Sequence, residues 1–218
     1  MNWREPTPEH DYSSRLFAQE DSYLKNIRES LRSDKKEGIN IDPYEGRFLQ
    51  LIISIANIST VVEIGTLYGY STLWIARALP SHGKIISFES NLENYEKAKA
   101  LLSKTEVWSR VDLRFGDAHS LLNELHGPFD MAFIDANKSG YTGYLDWSEK
   151  NIRKDGLIVG DNTLLFGHMV GRDRGIEMPE RAITVMREFN QRLSDSSRYR
   201  SVLVPTLEGM TIAQKLFV

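Results

Sequence analysis

Apolar residues recur at intervals of three and four over residues 13–31, which is the spacing of one face of an α-helix. A polar turn follows, and Asp42-Pro43 then supplies a helix N-cap with proline at the first helical position. These patterns predict helices at residues 13–31 and 43–57, after a loose polar arm at residues 1–12. We expect the two helices to serve in packing or in a dimer contact, with a lid over a binding site as the alternative.

From residue 58 onward, short apolar runs alternate with helical patterns. Seven strands are predicted, at residues 61–64, 84–88, 111–115, 130–135, 157–161, 199–204 and 210–216. Helices are predicted after the glycine loop to about residue 79, and at residues 91–103, 141–152 and 179–193. A further short helix is predicted after residue 118. This alternation indicates an α/β fold with a mostly parallel sheet and helices on both faces. No helix separates the last two strands, so the final strand is expected to run antiparallel.

Composition narrows the class of protein. A formal net charge of -3 argues against a strongly basic nucleic-acid surface. The chain has no cysteine, which excludes disulfides, thiolate zinc sites and cysteine nucleophiles. The polar start does not fit a signal peptide, and the longest apolar run, at residues 49–58, is shorter than a membrane span. We therefore expect a soluble cytoplasmic protein with no membrane segment.

Two of the predicted strands end in acidic residues. Asp135 follows the apolar run at residues 131–134, and Lys138 comes three residues later. Asp161 and Asn162 follow a second such run. The carboxyl ends of parallel strands are where open α/β sheets bind ligands. Two carboxylates and an amide oxygen are hard ligands, an incomplete set for a six-coordinate magnesium, manganese or calcium ion. Taken singly, each has a simpler interpretation as a helix cap, an exposed loop charge or a turn.

The loop after the first strand discriminates among cofactors. Gly65 and Gly69 are four residues apart, and the third glycine of a dinucleotide-binding G-x-G-x-x-G is missing. Glu63, just before this loop, would repel a phosphate and suits a cationic amine such as that of S-adenosylmethionine. Glu89 ends the second strand, where a carboxylate can accept both ribose hydroxyls, and Ala118 follows the third strand, where the adenine would lie. A tight turn and a solvated strand end are the simpler alternatives.

These stretches together resemble a known family. VVEIGTLYGYS, FES, GDA, FIDANKSGY and GDNTLLFG are similar to the cation-dependent S-adenosylmethionine O-methyltransferases related to catechol and caffeoyl-CoA O-methyltransferases, from about residue 41 to the C-terminus. The resemblance implies a Rossmann-like class I methyltransferase fold with added N-terminal helices, and a homodimer. The sequence shows no repeats and no low-complexity linker, so we expect one methyltransferase domain over residues 1–218, with an N-terminal arm and helices at 1–57 and the cofactor-binding sheet and metal site at 58–218.

The resemblance also implies roles for individual residues. The residues expected to contact S-adenosylmethionine are Ile41, Glu63, Gly65, Thr66, Ser71, Glu89, Ala118 and Asp135. The expected ligands of a divalent cation, magnesium first with manganese or calcium as alternatives, are Asp135, Asp161 and Asn162. Lys138 is expected to be the catalytic residue. One departure is the segment Thr206–Gly209, which stands where family members often have a G-D-G turn, so any substrate contact of that turn stays open.

The reaction that the resemblance implies is methyl transfer from the sulfonium to a hydroxyl of a small vicinal-diol aromatic, such as a catechol or a caffeoyl ester. A cation lowers the pKa of a bound hydroxyl, and Lys138 would remove its proton. The alternative is methylation of a hydroxylated uridine in tRNA, which needs a basic face; Arg172, Arg174 and Arg181 are weak candidates. A non-catalytic cofactor-binding protein is disfavoured by Lys138 and the ligand set, and a nicotinamide-dependent oxidoreductase by the missing glycine.

Overall fold

The computed structural model describes residues 7–172 and 174–218. The α-helices among these residues are α1 (Pro8–Phe17), α2 (Ser22–Ser33), α3 (Pro43–Ile55), α4 (Tyr70–Ala78), α5 (Leu92–Leu102), α6 (Ala118–Asn123), α7 (Tyr141–Asn151) and α8 (Glu180–Leu193). The strands are β1 (Thr60–Ile64), β2 (Lys84–Glu89), β3 (Val111–Phe115), β4 (Phe129–Ile134), β5 (Ile152–Asp161), β6 (Tyr199–Val204) and β7 (Met210–Lys215). All seven predicted strands are present, although their ends shift by a few residues.

The single helix predicted for residues 13–31 is wrong, because the structure has two helices there. Asp21 starts α2 by accepting a hydrogen bond from the Leu24 amide at 3.0 Å, which satisfies one of the free amides of a new helix. The apolar spacing continues across this break and therefore hides it. The polar arm was also predicted too long, since α1 already begins at Pro8. Residues 1–6 of that arm lie outside the described residues.

The start of α3 is confirmed. Asp42 is the N-cap and Pro43 the first helical residue, and the Glu45 carboxylate accepts from the Asp42 amide at 2.7 Å. The helix ends at Ile55, two residues earlier than predicted. Its local start signals were readable because they depend only on neighbouring residues.

Residues 7–118 of the described chain form one compact unit. Its three strands are parallel, with β2 between β1 and β3. Ile64 pairs with Phe88, and Glu89 pairs with Phe115, so the carboxyl ends of the three strands lie along one edge. The unit therefore gathers the loops that follow these strands.

Residues 119–172 and 174–218 form a second compact unit. In it β4 and β5 are parallel, while β7 is antiparallel to both β5 and β6. β5 begins at Ile152, five residues before the predicted start, because Ile152 already pairs with Phe129. Buried aromatic rings, among them Phe133, Tyr141 and Phe189, fill the core of this unit.

The seven strands follow the order β3-β2-β1-β4-β5-β7-β6. The predicted mostly parallel sheet with an antiparallel last strand is confirmed. The assignment of the whole chain to one domain stays a prediction. Among residues 7–172 and 174–218, none of the helices combines the length and hydropathy that a membrane crossing requires.

Candidate active site

The loop after β1 is anchored to the end of β2. The amides of Gly65 and Thr66 donate to the Phe88 carbonyl at 3.2 and 3.1 Å. Gly69, directly before α4, has φ +85°, and a Cβ there would lie 2.6 Å from the Leu102 side chain. Only glycine meets both conditions without strain. Two of the residues predicted to contact the cofactor, Gly65 and Thr66, lie in this loop, and a third, Ser71, lies in the first turn of α4.

Glu63 is completely buried near the end of β1. Its carboxylate accepts hydrogen bonds from the hydroxyls of Ser71 at 2.6 Å, Thr72 at 2.5 Å and Ser87 at 2.6 Å. These hydroxyls offset the cost of removing a carboxylate from water. Two predicted cofactor residues, Glu63 and Ser71, therefore contact each other directly. The sequence did not reveal the hydroxyls of Thr72 on α4 and Ser87 on β2, because these elements meet Glu63 only in the folded unit.

Glu89 lies at the end of β2 and is mostly buried. One of its carboxylate oxygens accepts from the Leu67 amide and the other from the Asn91 amide, each at 2.8 Å. Its backbone carbonyl accepts from the Gly116 amide at 3.0 Å, which joins the ends of β2 and β3. Ala118 starts α6 two residues further along. Carboxylate oxygens have further lone pairs, so Glu89 can still accept from a ligand.

The segment before α3 is also held to the glycine loop. The Tyr68 hydroxyl donates to Asp34 at 2.6 Å, and the Lys36 ammonium lies over the Tyr68 ring. Ile41, predicted to border the cofactor, lies in the segment that connects α2 to α3 and is buried, and its carbonyl accepts from the Asn40 side chain at 2.7 Å. The sequence did not reveal the contact of Tyr68 with a residue 34 positions away.

The two acidic strand ends are neighbours. Ile134 on β4 pairs with Gly160 on β5, so the next residues, Asp135 and Asp161, leave adjacent parallel strands at the same level. Adjacent strands lie about 4.8 Å apart. A Cβ on Gly160 would lie 2.8 Å from the Phe189 ring, so the strand needs glycine directly before Asp161. The β4–β5 register therefore places the backbones of Asp135 and Asp161 at neighbouring strand ends.

Lys138 contacts the first of these carboxylates. Its Nζ donates to Asp135 Oδ1 at 2.9 Å and to the Tyr141 hydroxyl at 2.8 Å. The Lys138 and Asp135 side chains are only 12% and 17% exposed, so the ion pair is largely shielded from water. A short 3-10 turn that begins at the lysine leads into α7. Lys138 is therefore not the exposed loop charge of the simpler interpretation.

Tyr141 joins both strand ends. Its hydroxyl lies 2.7 Å from the Asp161 carbonyl oxygen and 3.0 Å from that of Ile134. Burial, and then the negative charges of Asp135 and Asp161, raise the pKa of Tyr141 well above its ordinary value. The hydroxyl therefore keeps its proton and acts as a donor. No local pattern assigns these hydrogen bonds to Tyr141, because the Asp161 carbonyl lies 20 residues further along the chain.

The predicted ligand set suits a hard divalent cation. Asp161 is fully buried and Asn162 is 5% exposed. The Asn162 amide nitrogen donates to Asp161 Oδ2 at 3.2 Å, and a half turn about χ2 would bring the amide oxygen to the same side. The described part of the chain has no cluster of three or more His, Asp or Glu side chains arranged for a metal. The candidate set is thus two carboxylates and one amide.

The long connection after β5 is fastened to the turn between β6 and β7. The amides of Thr163 and Leu164 donate to the Gly209 and Glu208 carbonyls at 2.9 and 2.8 Å. The guanidinium of Arg174 pairs with the Glu208 carboxylate, which is 2% exposed. The turn that departs from the family pattern is therefore occupied by an internal ion pair.

Sequence similarity identifies the family of this chain. A sequence profile of the O-methyltransferase family matches residues 13–216. The chain belongs to the O-methyltransferase family. It is 35% identical over 211 residues to a catechol O-methyltransferase of Niastella koreensis, covering 93% of this chain and 94% of that one. It is 30% identical over 222 residues to a caffeoyl-CoA O-methyltransferase of Populus kitakamiensis, covering 97% and 94%.

A solved O-methyltransferase extends this likeness to the fold. The enzyme TomG from Streptomyces achromogenes, in complex with S-adenosylmethionine, matches with a TM-score of 0.87 and 28% identity over 100% of both chains. The predicted Rossmann-like class I methyltransferase fold is confirmed. The protein described here is, like TomG, an S-adenosylmethionine-dependent O-methyltransferase.

Proposed function

We propose that this O-methyltransferase transfers the methyl group to one hydroxyl of a small vicinal-diol aromatic, of the catechol or caffeoyl type, in a reaction that requires a divalent cation. The observation that carries the proposal is that Asp135 and Asp161 lie at adjacent strand ends and that Lys138 donates a hydrogen bond to Asp135. The names of the relatives support the substrate class.

Asp135, Asp161 and Asn162 are the proposed ligands of the cation, magnesium first, with manganese or calcium as alternatives. Such a cation would act as a Lewis acid that lowers the pKa of a substrate hydroxyl. Lys138 is the proposed base: its ammonium first releases a proton to solvent, and the amine nitrogen then accepts the proton of that hydroxyl. The oxygen lone pair then forms a bond to the methyl carbon, the carbon–sulfur bond breaks, and S-adenosylhomocysteine leaves.

The proposed contacts with S-adenosylmethionine remain those of the resemblance: Ile41, Glu63, Gly65, Thr66, Ser71, Glu89, Ala118 and Asp135. The clustering of the β1 loop with the ends of β2 and β3 supports this set. Glu89 is proposed to accept from the ribose hydroxyls, and the charge of Glu63 is proposed to favour the ammonium over a phosphate.

The tRNA alternative has less support. The net charge of -3 does not suit a phosphate backbone, and Arg174, one of three candidate arginines, pairs with Glu208 inside the protein. Both relatives described above carry the names of enzymes that act on small molecules or their coenzyme A esters. We therefore keep tRNA only as a comparison in the assay below.

We also propose a homodimer that forms through α1 and α3. These helices contact each other and expose large apolar side chains that are 49–70% accessible, namely Leu16, Phe17, Leu51 and Ile55. Their burial between two copies would stabilise the dimer.

Light scattering tests the dimer and should give twice the mass of the chain. The double variant Leu51→Glu/Ile55→Glu should give a monomer, whereas the control Val202→Glu on β6 should remain a dimer. A monomeric wild type contradicts this proposal. Residence in the cytoplasm stays a prediction.

The decisive experiment is a methyl-transfer assay with S-adenosylmethionine. Catechol, a caffeoyl ester and tRNA with hydroxylated uridine are compared with magnesium, manganese, calcium and excess chelator. We expect turnover of a small diol that chelation and Asp161→Ala abolish, while S-adenosylmethionine still binds by calorimetry. Asp146→Ala, an exposed carboxylate of α7, is the matched control. Undiminished activity in chelator would refute the cation requirement, and turnover of tRNA alone would refute the substrate class.

A further inference from the structure

Tyr141 has a hydroxyl that three groups of the candidate site approach. Lys138 Nζ donates to it at 2.8 Å, and the carbonyl oxygens of Asp161 and Ile134 lie 2.7 and 3.0 Å from it. A phenolic hydroxyl has one proton, which it gives to one of these carbonyls, and a lone pair that receives the lysine. The hydroxyl therefore connects the lysine to the backbone of two different strands.

The ring of Tyr141 does not need this hydroxyl for packing. The residue is completely buried, and its ring meets Phe189 edge to face with 5.1 Å between centroids. Phenylalanine would make the same ring contact. A buried hydroxyl costs free energy unless it is hydrogen-bonded, so its presence calls for a role in the hydrogen bonds that it makes.

Those hydrogen bonds end at the proposed catalytic groups. Ile134 directly precedes Asp135, and Asp161 is itself a proposed cation ligand. A contact with both carbonyls restrains the distance between the ends of β4 and β5. A contact with Lys138 restrains the amine against Asp135, its second partner, at 2.9 Å. Displacement of a reacting group by about 1 Å can cost 10²-fold in rate.

We propose that Tyr141 is a positioning residue for methyl transfer, whose hydroxyl holds Lys138 in place and sets the spacing of the two acidic strand ends. This inference rests on the proposed function, because it assigns Tyr141 to act through Lys138. It goes beyond a structural tyrosine, which would stabilise the fold without changing the rate of the bound complex.

The test compares Tyr141→Phe with Tyr199→Phe, which removes another buried hydroxyl of the same unit that donates to Glu149. Tyr141→Phe should lower kcat about 10- to 100-fold, with KM for S-adenosylmethionine within about twofold of wild type. Tyr199→Phe should lower the melting temperature and leave kcat unchanged. Equal kcat values for wild type and Tyr141→Phe would overturn the inference.

A double variant tests whether Tyr141 acts through the lysine. When Lys138 is already methionine, adding Tyr141→Phe should cause little further loss of kcat, because coupled residues are not additive. Fully additive losses would overturn the inference. If Tyr141→Phe does not fold, a crystal structure of the wild type with S-adenosylhomocysteine and a catechol decides: a separation above 3.5 Å between Tyr141 Oη and Lys138 Nζ overturns it.

The two proposals fail in different ways. A wild type that methylates no small diol under any metal condition refutes the proposed function, whatever the variants do. An active wild type that loses its activity in Lys138→Met but keeps it in Tyr141→Phe refutes only the role of Tyr141.

Discussion

The ammonium of Lys138 lies 2.9 Å from the carboxylate of Asp135, and both side chains are largely shielded from water. A buried carboxylate is stabilised by a neighbouring cation, so the ammonium of Lys138 offsets the negative charge of Asp135 at the end of β4. The same contact holds the lysine amine beside a proposed metal ligand. One ion pair thus links the proposed base to the proposed cation site.

Replacing this lysine should impair chemistry more than binding. Lys138→Met should lower kcat about 10²- to 10⁴-fold, the usual contribution of a general base, while the Kd of S-adenosylmethionine changes little. Steady-state kinetics and calorimetry measure the two quantities. The matched control is Lys150→Met, an exposed lysine of α7, which should behave as wild type. A kcat within twofold of wild type would exclude Lys138 as the base.

Three hydroxyls donate to Glu63, and this arrangement predicts the effect of replacing its carboxylate with a neutral amide. Glu63→Gln places an amide donor among the donors Ser71, Thr72 and Ser87. At least one hydroxyl then loses its acceptor, so the free energy of unfolding should fall by about 1–3 kcal/mol. Chemical denaturation measures this loss, and Glu96→Gln on the exposed face of α5 is the control. Calorimetry should also show weaker binding of S-adenosylmethionine; unchanged stability would show that the hydroxyls do not depend on the carboxylate.

The ion pair between Arg174 and Glu208 should stabilise the connection after β5. Arg174→Met removes the guanidinium that faces a carboxylate with 2% exposure, so the free energy of unfolding should fall by about 3 kcal/mol. The double variant Arg174→Met/Glu208→Leu should recover part of this loss, because it no longer buries the Glu208 carboxylate without its arginine. The control is Arg200→Met, an exposed arginine of β6. If the double variant is less stable than the single one, the pair is not the origin of the effect.

A pH-dependent contribution to stability is expected from Glu149. Burial raises the pKa of Glu149, but the Tyr199 hydroxyl and the cations of Arg192 and Arg198 outweigh it, so the pKa lies below its ordinary value of 4.5. The unfolded chain therefore takes up the proton first as pH falls. The stabilisation is complete above about pH 4.5 and is lost as pH drops through the folded pKa.

The measurement is the melting temperature of wild type and Glu149→Gln between pH 3 and 7. The variant should be less stable at pH 7, and the difference should shrink toward pH 3. Glu124→Gln, at an exposed position, should show no such trend. A difference that stays constant with pH would contradict the predicted shift in pKa.

Much of the candidate site could be predicted because its features are local in sequence. Apolar runs that end in Asp135 and Asp161 mark two strands and their carboxyl ends at once. The N-cap at Asp42 could be predicted because its signal lies within four consecutive residues, 42–45. The break before α2 was hidden, in contrast, because the apolar spacing runs through it and Asp21 alone marks the new start.

The fold class and the family could be inferred from the hydrophobic period and the short motifs, and the same motifs suggested the residue types of the candidate site. The contacts between those residues became visible only in the folded structure. The register of β4 against β5 brings Asp135 beside Asp161, the hydroxyl of Tyr141 reaches a carbonyl 20 residues away, and Arg174 meets Glu208 across 34 residues. Such contacts depend on strand pairing and side-chain packing, which no local pattern encodes.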